Sequence, residues 1–322
     1  MRVRWNQIGW WRALKELSRE ASRWKDQWVL VQYTALAWSL HGFPVRLLFV
    51  LWLLQIRRAR LAIVFHDSEP HSGRRFVDCV RRMCQRWVIR YAYRLADKSI
   101  LTVPVERVSW LPRDHSKATF IPVGANIPAT SSCRCGSKGR RSKTIAVFGV
   151  TGDGSIGNEL SDIAFVARAA AEHLPEIRLT MLGRGSMESE SRMRRVLEGS
   201  AVEYRALGVL SAEAVSEVLA DADVSLFVRG PISTQRGSAI ASIACGLPLV
   251  AYSYPQLPAA FAETGVVGVP CGDREALAEE TIKILTDRRL WLDLHRRSQI
   301  HFDKYFSWES IGARFVELLE HA

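Results

Sequence analysis

Short apolar runs alternate with longer segments of helical periodicity along most of the chain. In the first half the runs cover residues 28–33, 61–65, 99–103 and 119–122, and helices are predicted at about 44–60 and 75–96. In the second half the runs cover residues 144–150, 178–182, 202–206, 224–228 and 248–252, with helices predicted at 160–173, 188–197, 212–220 and 238–245. Strands and helices in this order predict an α/β fold with two doubly wound parallel sheets.

A polar, basic and glycine-containing stretch at residues 131–143 is the clearest domain boundary in the sequence. We therefore predict an N-terminal domain at 1–130, a linker at 131–143 and a C-terminal domain at 144–322. Near the start of the chain, apolar residues recur at steps of three and four and predict one amphipathic helix. These residues are Trp10, Leu14, Leu17, Ala21, Trp24 and Trp28.

The charge balance is strongly basic. The 322 residues carry a formal net charge of +11, and the sequence pI is about 9.7. Such a chain is attracted to nucleic acid, anionic lipid or phosphorylated substrates. No recognition helix, zinc finger or RNA-binding motif is visible, so nucleic-acid binding is a minor hypothesis.

The cysteines and the apolar stretches bear on location. The six cysteines form no zinc-type pair of Cys-x-x-Cys motifs, and no secretory leader precedes them, so reduced thiols and a cytoplasmic location are predicted. The most apolar stretch, 47–56, is about half the length of a spanning helix, which needs about 20 residues. No transmembrane segment is predicted.

An arginine-rich helix is predicted in the N-terminal half. Arg82, Arg86 and Arg90 recur at steps of four beside apolar residues that include Trp87. This pattern is typical either of a peripheral surface that lies on an anionic membrane or of a solvated helix face. Both interpretations stay open.

Residues that directly follow strands are the best site candidates, because ligands of parallel sheets bind at the carboxyl ends of the strands. His66 follows the run 61–65, together with Asp67 and Glu69. A histidine there can contact a sugar hydroxyl or a developing charge, whereas an isolated surface histidine is the alternative. We predict a functional role for His66.

Two glycine-containing turns follow strands of the second half. The turn 149–157, with Gly149 and Thr151, could bring backbone N–H groups to a phosphate, although a flexible turn has the same composition. In the turn 183–186, Arg184 could contact either a phosphate or a solvent-facing carboxylate.

The most informative cluster lies between the run 224–228 and the helix that follows it. A helix N-terminus favours an anion such as a diphosphate, and an arginine adds a charged fork for phosphate oxygens. Simple capping of the helix by Ser238 is the alternative. The predicted anion-binding residues are Ser233, Thr234, Arg236, Gly237 and Ser238.

The string Ala-Ser-Ile-Ala-Cys-Gly-Leu-Pro-Leu-Val-Ala at 241–251 resembles the donor-site helix of GT-B glycosyltransferases, particularly glycosyltransferase family 4. Further segments resemble the family in the same order: 121–128 its interdomain segment, 207–213 its nucleobase-side loop and helix, and 306–311 its closing helix. His66 resembles its active-site histidine.

The resemblance implies two Rossmann-like domains and transfer of a sugar from a nucleotide-diphosphate sugar to a hydroxyl group of an acceptor, which is a saccharide or a lipid-linked molecule. It further implies retained anomeric configuration, no metal and no cofactor besides the donor. On this basis His66 is the catalytic residue. Leu210, in the nucleobase-side loop, joins the donor-binding residues named above.

The chain departs from the family pattern in two places. Ser233 and Ala241 stand where many members have an acidic pair, and the first strand with its glycine loop has no counterpart before Trp28. These departures leave a second hypothesis open, a degenerate glycosyltransferase that binds a nucleotide or a partner without transferring sugar.

Overall fold

The computed structural model describes residues 5–67, 69–70, 73, 75–128, 142–151 and 159–320, with the side chains of 5 and 6 left out. The chain forms two compact units. Unit 1 comprises Met1–Pro122 and Ala313–Ala322, and unit 2 comprises Val123–Gly312.

Unit 1 contains a parallel sheet whose described strands lie in the order β1-β2-β3-β4. Its strands are β1 (Trp28–Tyr33), β2 (Arg60–Phe65), β3 (Lys98–Leu101) and β4 (Ala118–Phe120), with a short 3-10 turn at Val105–Arg107. Its helices are α1 (Trp5–Ile8), α2 (Trp10–Ala21), α3 (Ala35–Trp38), α4 (Arg46–Ile56) and α5 (Phe76–Leu95).

The core of unit 1 lies between this sheet and helices α4 and α5. Leu51 and Ile89 from the helices are fully buried against Ile63 of β2. Tyr33 and Phe65, at the carboxyl ends of β1 and β2, are in aromatic contact at 5.7 Å, and Phe65 lies 5.2 Å from Trp110. The carboxyl ends of β1 and β2 are therefore packed together by aromatic rings.

Unit 2 contains a parallel sheet of six described strands in the order β10-β9-β8-β5-β6-β7. The strands are β5 (Lys143–Phe148), β6 (Ile177–Leu182), β7 (Val202–Ala206), β8 (Val224–Phe227), β9 (Leu249–Ser253) and β10 (Val266–Pro270). The helices are α6 (Glu159–His173), α7 (Glu190–Val196), α8 (Ala212–Ala220), α9 (Gly237–Ala244), α10 (Ala259–Ala262), α11 (Arg274–Thr286) and α12 (Arg288–Tyr305). This order is the doubly wound arrangement, and the predicted α/β class is confirmed.

The units begin and end at other residues than the predicted domains. The N–H of Val123 donates to Thr234 and that of Ala125 to Phe306, which joins the segment 123–128 to unit 2. Helix α13 (Trp308–Glu320) starts in unit 2, but its last residues belong to unit 1, where the indole of Trp28 donates to the carbonyl of Leu319 at 2.9 Å. The predicted linker lies outside the described residues, apart from Ser142 and Lys143.

The predicted N-terminal helix is too long. Helix α2 ends at Ala21, and the chain then turns through Asp26, whose φ of +59° is incompatible with a continued helix. Trp24 still packs against the core of unit 1, but from this turn, and Trp28 begins β1. Apolar spacing continues past the end of the helix because the turn and the strand bury residues in the same core.

Two further predictions concern the apolar stretches and cysteines. Of the helices in the described part of the chain, none is both long and apolar enough to cross a membrane. Cys133 and Cys135 lie outside the described residues, so the predicted state of their thiols stays a prediction.

Candidate functional site

The sheet of unit 2 reverses its strand order between β5 and β8. Strands β5, β6 and β7 extend to one side and β8, β9 and β10 to the other, and β5 pairs directly with β8. Loops that leave such neighbouring strands diverge to opposite faces and open a crevice at the carboxyl edge, where ligands of this fold class bind. Gly149 follows β5 at this point, and Arg229 follows β8.

Arg229 is the central side chain of this crevice. A β-carbon placed on Gly149 would lie 3.6 Å from Nη1 of Arg229, so the guanidinium group lies against the glycine. Its Nη2 donates to the hydroxyl of Ser238 at 2.7 Å, and its carbon atom Cζ lies 5.3 Å above the ring of Phe227. Its Nε is buried without a hydrogen-bond partner among the described residues.

The environment of Arg229 disfavours its positive charge. Burial lowers the pKa of the guanidinium, the charge of Arg236 lowers it further, and Glu159 opposes the shift. Arginine nevertheless stays protonated at neutral pH. A buried cation with a like charge nearby and an unpartnered N–H is a place where an incoming anion gains electrostatic energy.

Helix α9 contributes its N-terminus to the same crevice. Its N-cap residue is Arg236, which is exposed and whose side chain makes no capping hydrogen bond. Ser238 lies inside the first turn and accepts from Arg229, so the alternative of helix capping by Ser238 is wrong. The backbone amides of Gly237 and Ser238 lie in the first turn, where a helix carries the partial positive charge of its N-terminus.

The other two predicted residues of this cluster differ in exposure. Ser233 is partly exposed and accepts the N–H of Arg236 at 3.0 Å, which forms the turn before the helix. Thr234 is fully buried, and its carbonyl accepts the N–H of Val123 at 3.3 Å. Ser233 therefore borders the crevice, whereas Thr234 anchors the turn to the segment 123–128.

Thr151 is engaged within unit 2. Its N–H and its hydroxyl donate to the two carboxylate oxygens of Glu159, at 2.9 and 2.7 Å, and Glu159 is buried at the start of α6. The remainder of the predicted glycine-rich turn, 152–157, lies outside the described residues. Glu159 therefore fixes the start of this loop and places a carboxylate near Arg229.

The turn after β6 is held against the turn after β5. Gly183 and Gly185 have φ values of +83° and +79°, and a β-carbon on Gly185 would collide with the carbonyl oxygen of Val150. The N–H of Val150 donates to the carbonyl of Arg184 at 3.1 Å. The Arg184 side chain is exposed, with no hydrogen-bond partner among the described residues. It is available to a ligand or to solvent.

Leu210 lies in the next loop of the same edge. The N–H of Gly183 donates to Gly208 at 2.7 Å, and the N–H of Gly208 donates to the buried hydroxyl of Ser186 at 3.1 Å. Leu210 packs partly against the core beneath, just before Ser211 caps α8. The loops after β5, β6 and β7 are therefore joined by hydrogen bonds into one rim.

The carboxyl edge of unit 1 contains His66. Its Nε2 is hydrogen-bonded to Oε1 of Gln32, and the ring is partly buried. Burial lowers the pKa of the imidazole, and the neighbouring Asp67 partly opposes the shift. His66 is therefore neutral at pH 7, a state in which the ring can accept one hydrogen bond and donate another.

A pocket of about 450 Å³ lies at this edge of unit 1. Asp67 and Glu69 line it, and each accepts hydrogen bonds: Asp67 from the N–H of Ala35 at 2.6 Å, and Glu69 from the N–H and hydroxyl of Ser109, both at 2.9 Å. Arg81 lines it from α5 and donates to His41. The remaining lining residues are Ala35, Leu36, Leu40, His41, Gly42 and Gln85.

Sequence reasoning missed three residues of the unit 2 crevice. Arg229 is the first basic residue after β8, and the rule that ligands bind after strands could have identified it. Glu159 could not be identified from the sequence, because its partner Thr151 lies across a loop. Asn126 is recognised only from the fold: its Oδ1 lies 3.6 Å from the position of a β-carbon on Gly237.

The two positions of the family's acidic pair have different environments. Ser233 is partly exposed beside the crevice, whereas Ala241 is fully buried and packs in the core against α8. In the part of the chain that the structure describes, no group of three or more His, Cys, Asp and Glu could hold a metal ion.

Comparison with known proteins gives one family match and many matches to solved structures. Residues 152–287 match the family described as Glycosyl transferases group 1. A search of curated protein sequences found no match.

Three structural relatives represent the solved structures. A glycosyltransferase from Rickettsia africae has a TM-score of 0.68 at 11% identity, over 100% of this chain and 85% of that one. Anabaena HepE in complex with UDP has a TM-score of 0.67 at 15% identity, over 97% of this chain and 82% of that one. Sucrose-phosphate synthase from Thermosynechococcus elongatus has a TM-score of 0.64 at 18% identity, over 98% of this chain and 79% of that one.

At such identities the structural matches establish the fold. The four described strands of unit 1 are consistent with a shortened N-terminal domain. The chain therefore has the GT-B fold with the group 1 glycosyltransferase match in its C-terminal unit, and the resemblance predicted from its sequence is confirmed.

Proposed function

We propose that the protein is a glycosyltransferase that moves a sugar from a nucleotide-diphosphate sugar to a hydroxyl group of an acceptor, in polysaccharide or glycolipid assembly. The family match supports sugar transfer, and Anabaena HepE, a structural relative, has been solved with UDP-glucose. In this proposal the reaction is a hexosyl transfer that retains anomeric configuration and needs no metal. The protein is cytoplasmic, and a lipid-linked acceptor would place it peripherally at a membrane.

The observation that carries the proposal is that two cations, Arg229 and Arg236, lie near each other where the strand order of unit 2 reverses. The two cations and the N-terminus of α9 would bind the diphosphate and stabilise the negative charge that develops on it as the sugar departs. The other proposed donor-binding residues are Gly149, Thr151, Arg184, Leu210, Ser233, Thr234, Gly237 and Ser238.

For unit 1, the proposal gives His66 the catalytic role and assigns the acceptor to the pocket lined by Asp67 and Glu69. A neutral imidazole can hydrogen-bond to a sugar hydroxyl, and carboxylates are good acceptors for the hydroxyl groups of a saccharide. The exposed Leu36 and Leu40 add an apolar wall to this pocket.

The test compares thermal stability in the presence of uridine, adenosine and guanosine diphosphates, the matching monophosphates and the glucose conjugates. A ligand at 100 times its Kd stabilises the folded state by about 2.7 kcal/mol. We expect one diphosphate to raise Tm more than its monophosphate. Arg236→Ala should reduce that shift, whereas Arg296→Ala, at another exposed arginine of unit 2, should leave it unchanged. If none of the diphosphates raises Tm, the proposal is contradicted.

The second candidate is a degenerate protein that binds a nucleotide without transfer. It is favoured by Ala241, which offers no carboxylate and is buried where many family members have an acidic residue. The two candidates are distinguished by slow hydrolysis of the stabilising nucleotide sugar, in which water takes the place of the acceptor and the nucleotide diphosphate is released. Release that His66→Ala abolishes supports the enzyme, and tight binding without release supports the degenerate protein.

A further inference from the structure

The outer side of unit 1 carries exposed apolar side chains on three neighbouring helices. Helix α4 packs between α2 and α5. The relevant side chains on α4 and just before it are Val45, Phe49, Trp52 and Ile56. Those on α5 are Phe76, Val80, Met83 and Trp87. Both sets follow the spacing i, i+4, i+7 and i+11, which places each set on one face of its helix.

These side chains point away from the core. Trp11 is 77% exposed, Trp52 60% and Trp87 57%, while the opposite faces of the same helices bury residues such as Leu51 and Ile89 completely. Single exposed apolar side chains are common on soluble proteins. Aromatic side chains exposed on three neighbouring helices, several of which line one groove between α2 and α4, instead indicate a surface that contacts another apolar phase.

A groove of about 410 Å³ runs between α2 and α4 within this surface. Its walls are apolar and include Trp11, Phe49 and Trp52. Lys15 and Arg57 also line it, and Nη2 of Arg57 donates to the hydroxyl of Ser18 at 2.7 Å. The groove therefore combines aromatic walls with cations.

The charges of these helices are mainly positive, although α2 carries Glu16 and Glu20 beside its three cations. Helix α4 contains no acidic residue, and the single acidic residue of α5, Asp78, is buried and paired with Arg81 at 2.6 Å. The exposed cations include Arg12, Lys15 and Arg19 on α2 and Arg86 and Arg90 on α5. The helical spacing predicts that Arg82 lies on one exposed face with Arg86 and Arg90, but Arg82 is only partly exposed, and its Nη2 donates to the carbonyl of Gly73.

We propose that the surface defined by Trp11, Phe49, Trp52, Ile56, Met83 and Trp87, named here the lipid-facing surface, docks on an anionic lipid bilayer. Tryptophan favours the boundary between headgroups and acyl chains, and neighbouring lysine and arginine side chains are attracted to anionic headgroups. A second copy of the same surface is a poor partner, because it would oppose cations with cations. The inference rests on exposed side chains and holds whether or not the chain transfers sugar.

The test is co-sedimentation of the full chain with vesicles. We expect binding to vesicles of phosphatidylglycerol and phosphatidylcholine in equal amounts, loss of that binding as salt is raised, and little binding to phosphatidylcholine alone. Trp52→Glu should weaken binding roughly tenfold or more, since it removes an indole that the proposal places in the bilayer and adds an anion. The matched control is Ile300→Glu on α12 of unit 2, where the side chain is similarly exposed.

The charges are tested separately. Lys15→Glu and Arg86→Glu should each weaken binding to the anionic vesicles roughly fivefold or more, whereas Arg296→Glu should have little effect. All five positions are exposed, so an unchanged Tm is expected and would show that the variants fold.

Three results of the sedimentation assay would overturn the proposal. They are no sedimentation with anionic vesicles, equal sedimentation with both vesicle types, and equal binding by wild type and Trp52→Glu. A dimer in analytical ultracentrifugation that Trp52→Glu converts to a monomer would overturn it in favour of a second copy of the chain.

Discussion

The two sheets have the same parallel construction but present different chemistry at their carboxyl edges. In unit 2 the strand order reverses between β5 and β8, and the crevice there contains Arg229 and Arg236. In unit 1 the described strands follow chain order without a reversal, and the edge carries His66, Asp67 and Glu69. One edge is suited to an anion and the other to a ligand rich in hydroxyl groups, which are the properties that the proposed donor and acceptor sites require.

The largest expected effect tests how rigidly the crevice of unit 2 is built. In Gly185→Ala the new methyl group meets the carbonyl oxygen of Val150, and the backbone keeps a φ of +79° that alanine adopts only with strain. We expect a loss of about 3 kcal/mol in the free energy of unfolding, from backbone strain and overpacking together, measured by urea denaturation.

Gly199→Ala is the matched control for that experiment. Gly199 has a similar φ of +75°, but nothing lies within 4 Å of the added β-carbon. The free energy of unfolding of Gly199→Ala should therefore fall only by the cost of backbone strain, about 1 kcal/mol. Equal losses for the two variants would show that the close contact between the loops after β5 and β6 does not stabilise the crevice.

The next effect distinguishes a ligand-binding arginine from a structural one. Arg229→Met should weaken binding of the stabilising nucleotide diphosphate by about 2 kcal/mol, or roughly 30-fold, because charge-assisted hydrogen bonds are lost. Arg229→Lys should retain part of the binding, because lysine keeps the charge without the planar fork. Isothermal titration calorimetry measures both.

Stability of the unliganded variants is the control. The Arg229 guanidinium is desolvated and lies near the charge of Arg236, so its removal should leave the Tm of the unliganded protein unchanged or raise it. A lower Tm combined with unchanged nucleotide affinity would show that Arg229 stabilises the fold and does not bind the donor.

The comparison of the two units also shows what the sequence can predict. The ends of β1 and β7 and both ends of α8 agree with the predicted bounds, because apolar runs bounded by turn residues are local signals. Arg229 lies beside Gly149 because β5 pairs with β8. These strands are about 80 residues apart in the sequence, and no local sequence pattern shows that they are neighbours in the sheet. Prediction of Arg236 and Ser238 needed only one helix start, whereas the position of Arg229 against Gly149, and of Glu159 near Arg229, needed the assembled sheet.

The smallest expected effect tests the edge of unit 1. Because burial lowers the pKa of His66 in the folded protein, the unfolded chain binds more protons than the folded one at pH values between the folded pKa and about 6.5. Folded stability should therefore fall as pH decreases from 7 through this window. His66→Gln, which cannot be protonated, should lack this part of the loss.

The expected difference between the two pH profiles is below about 1 kcal/mol, because the ring is only partly buried and solvent screens its charge. Urea denaturation at pH 7 and at pH 5 measures it, and His115→Gln, at an exposed histidine of the same unit, is the control. In a transfer assay, the rate of the wild type should likewise decrease as His66 becomes protonated, since an imidazolium cannot accept a hydrogen bond. A rate that stays constant through this window would remove His66 from the catalytic role and leave the pocket of Asp67 and Glu69 as the functional feature of unit 1.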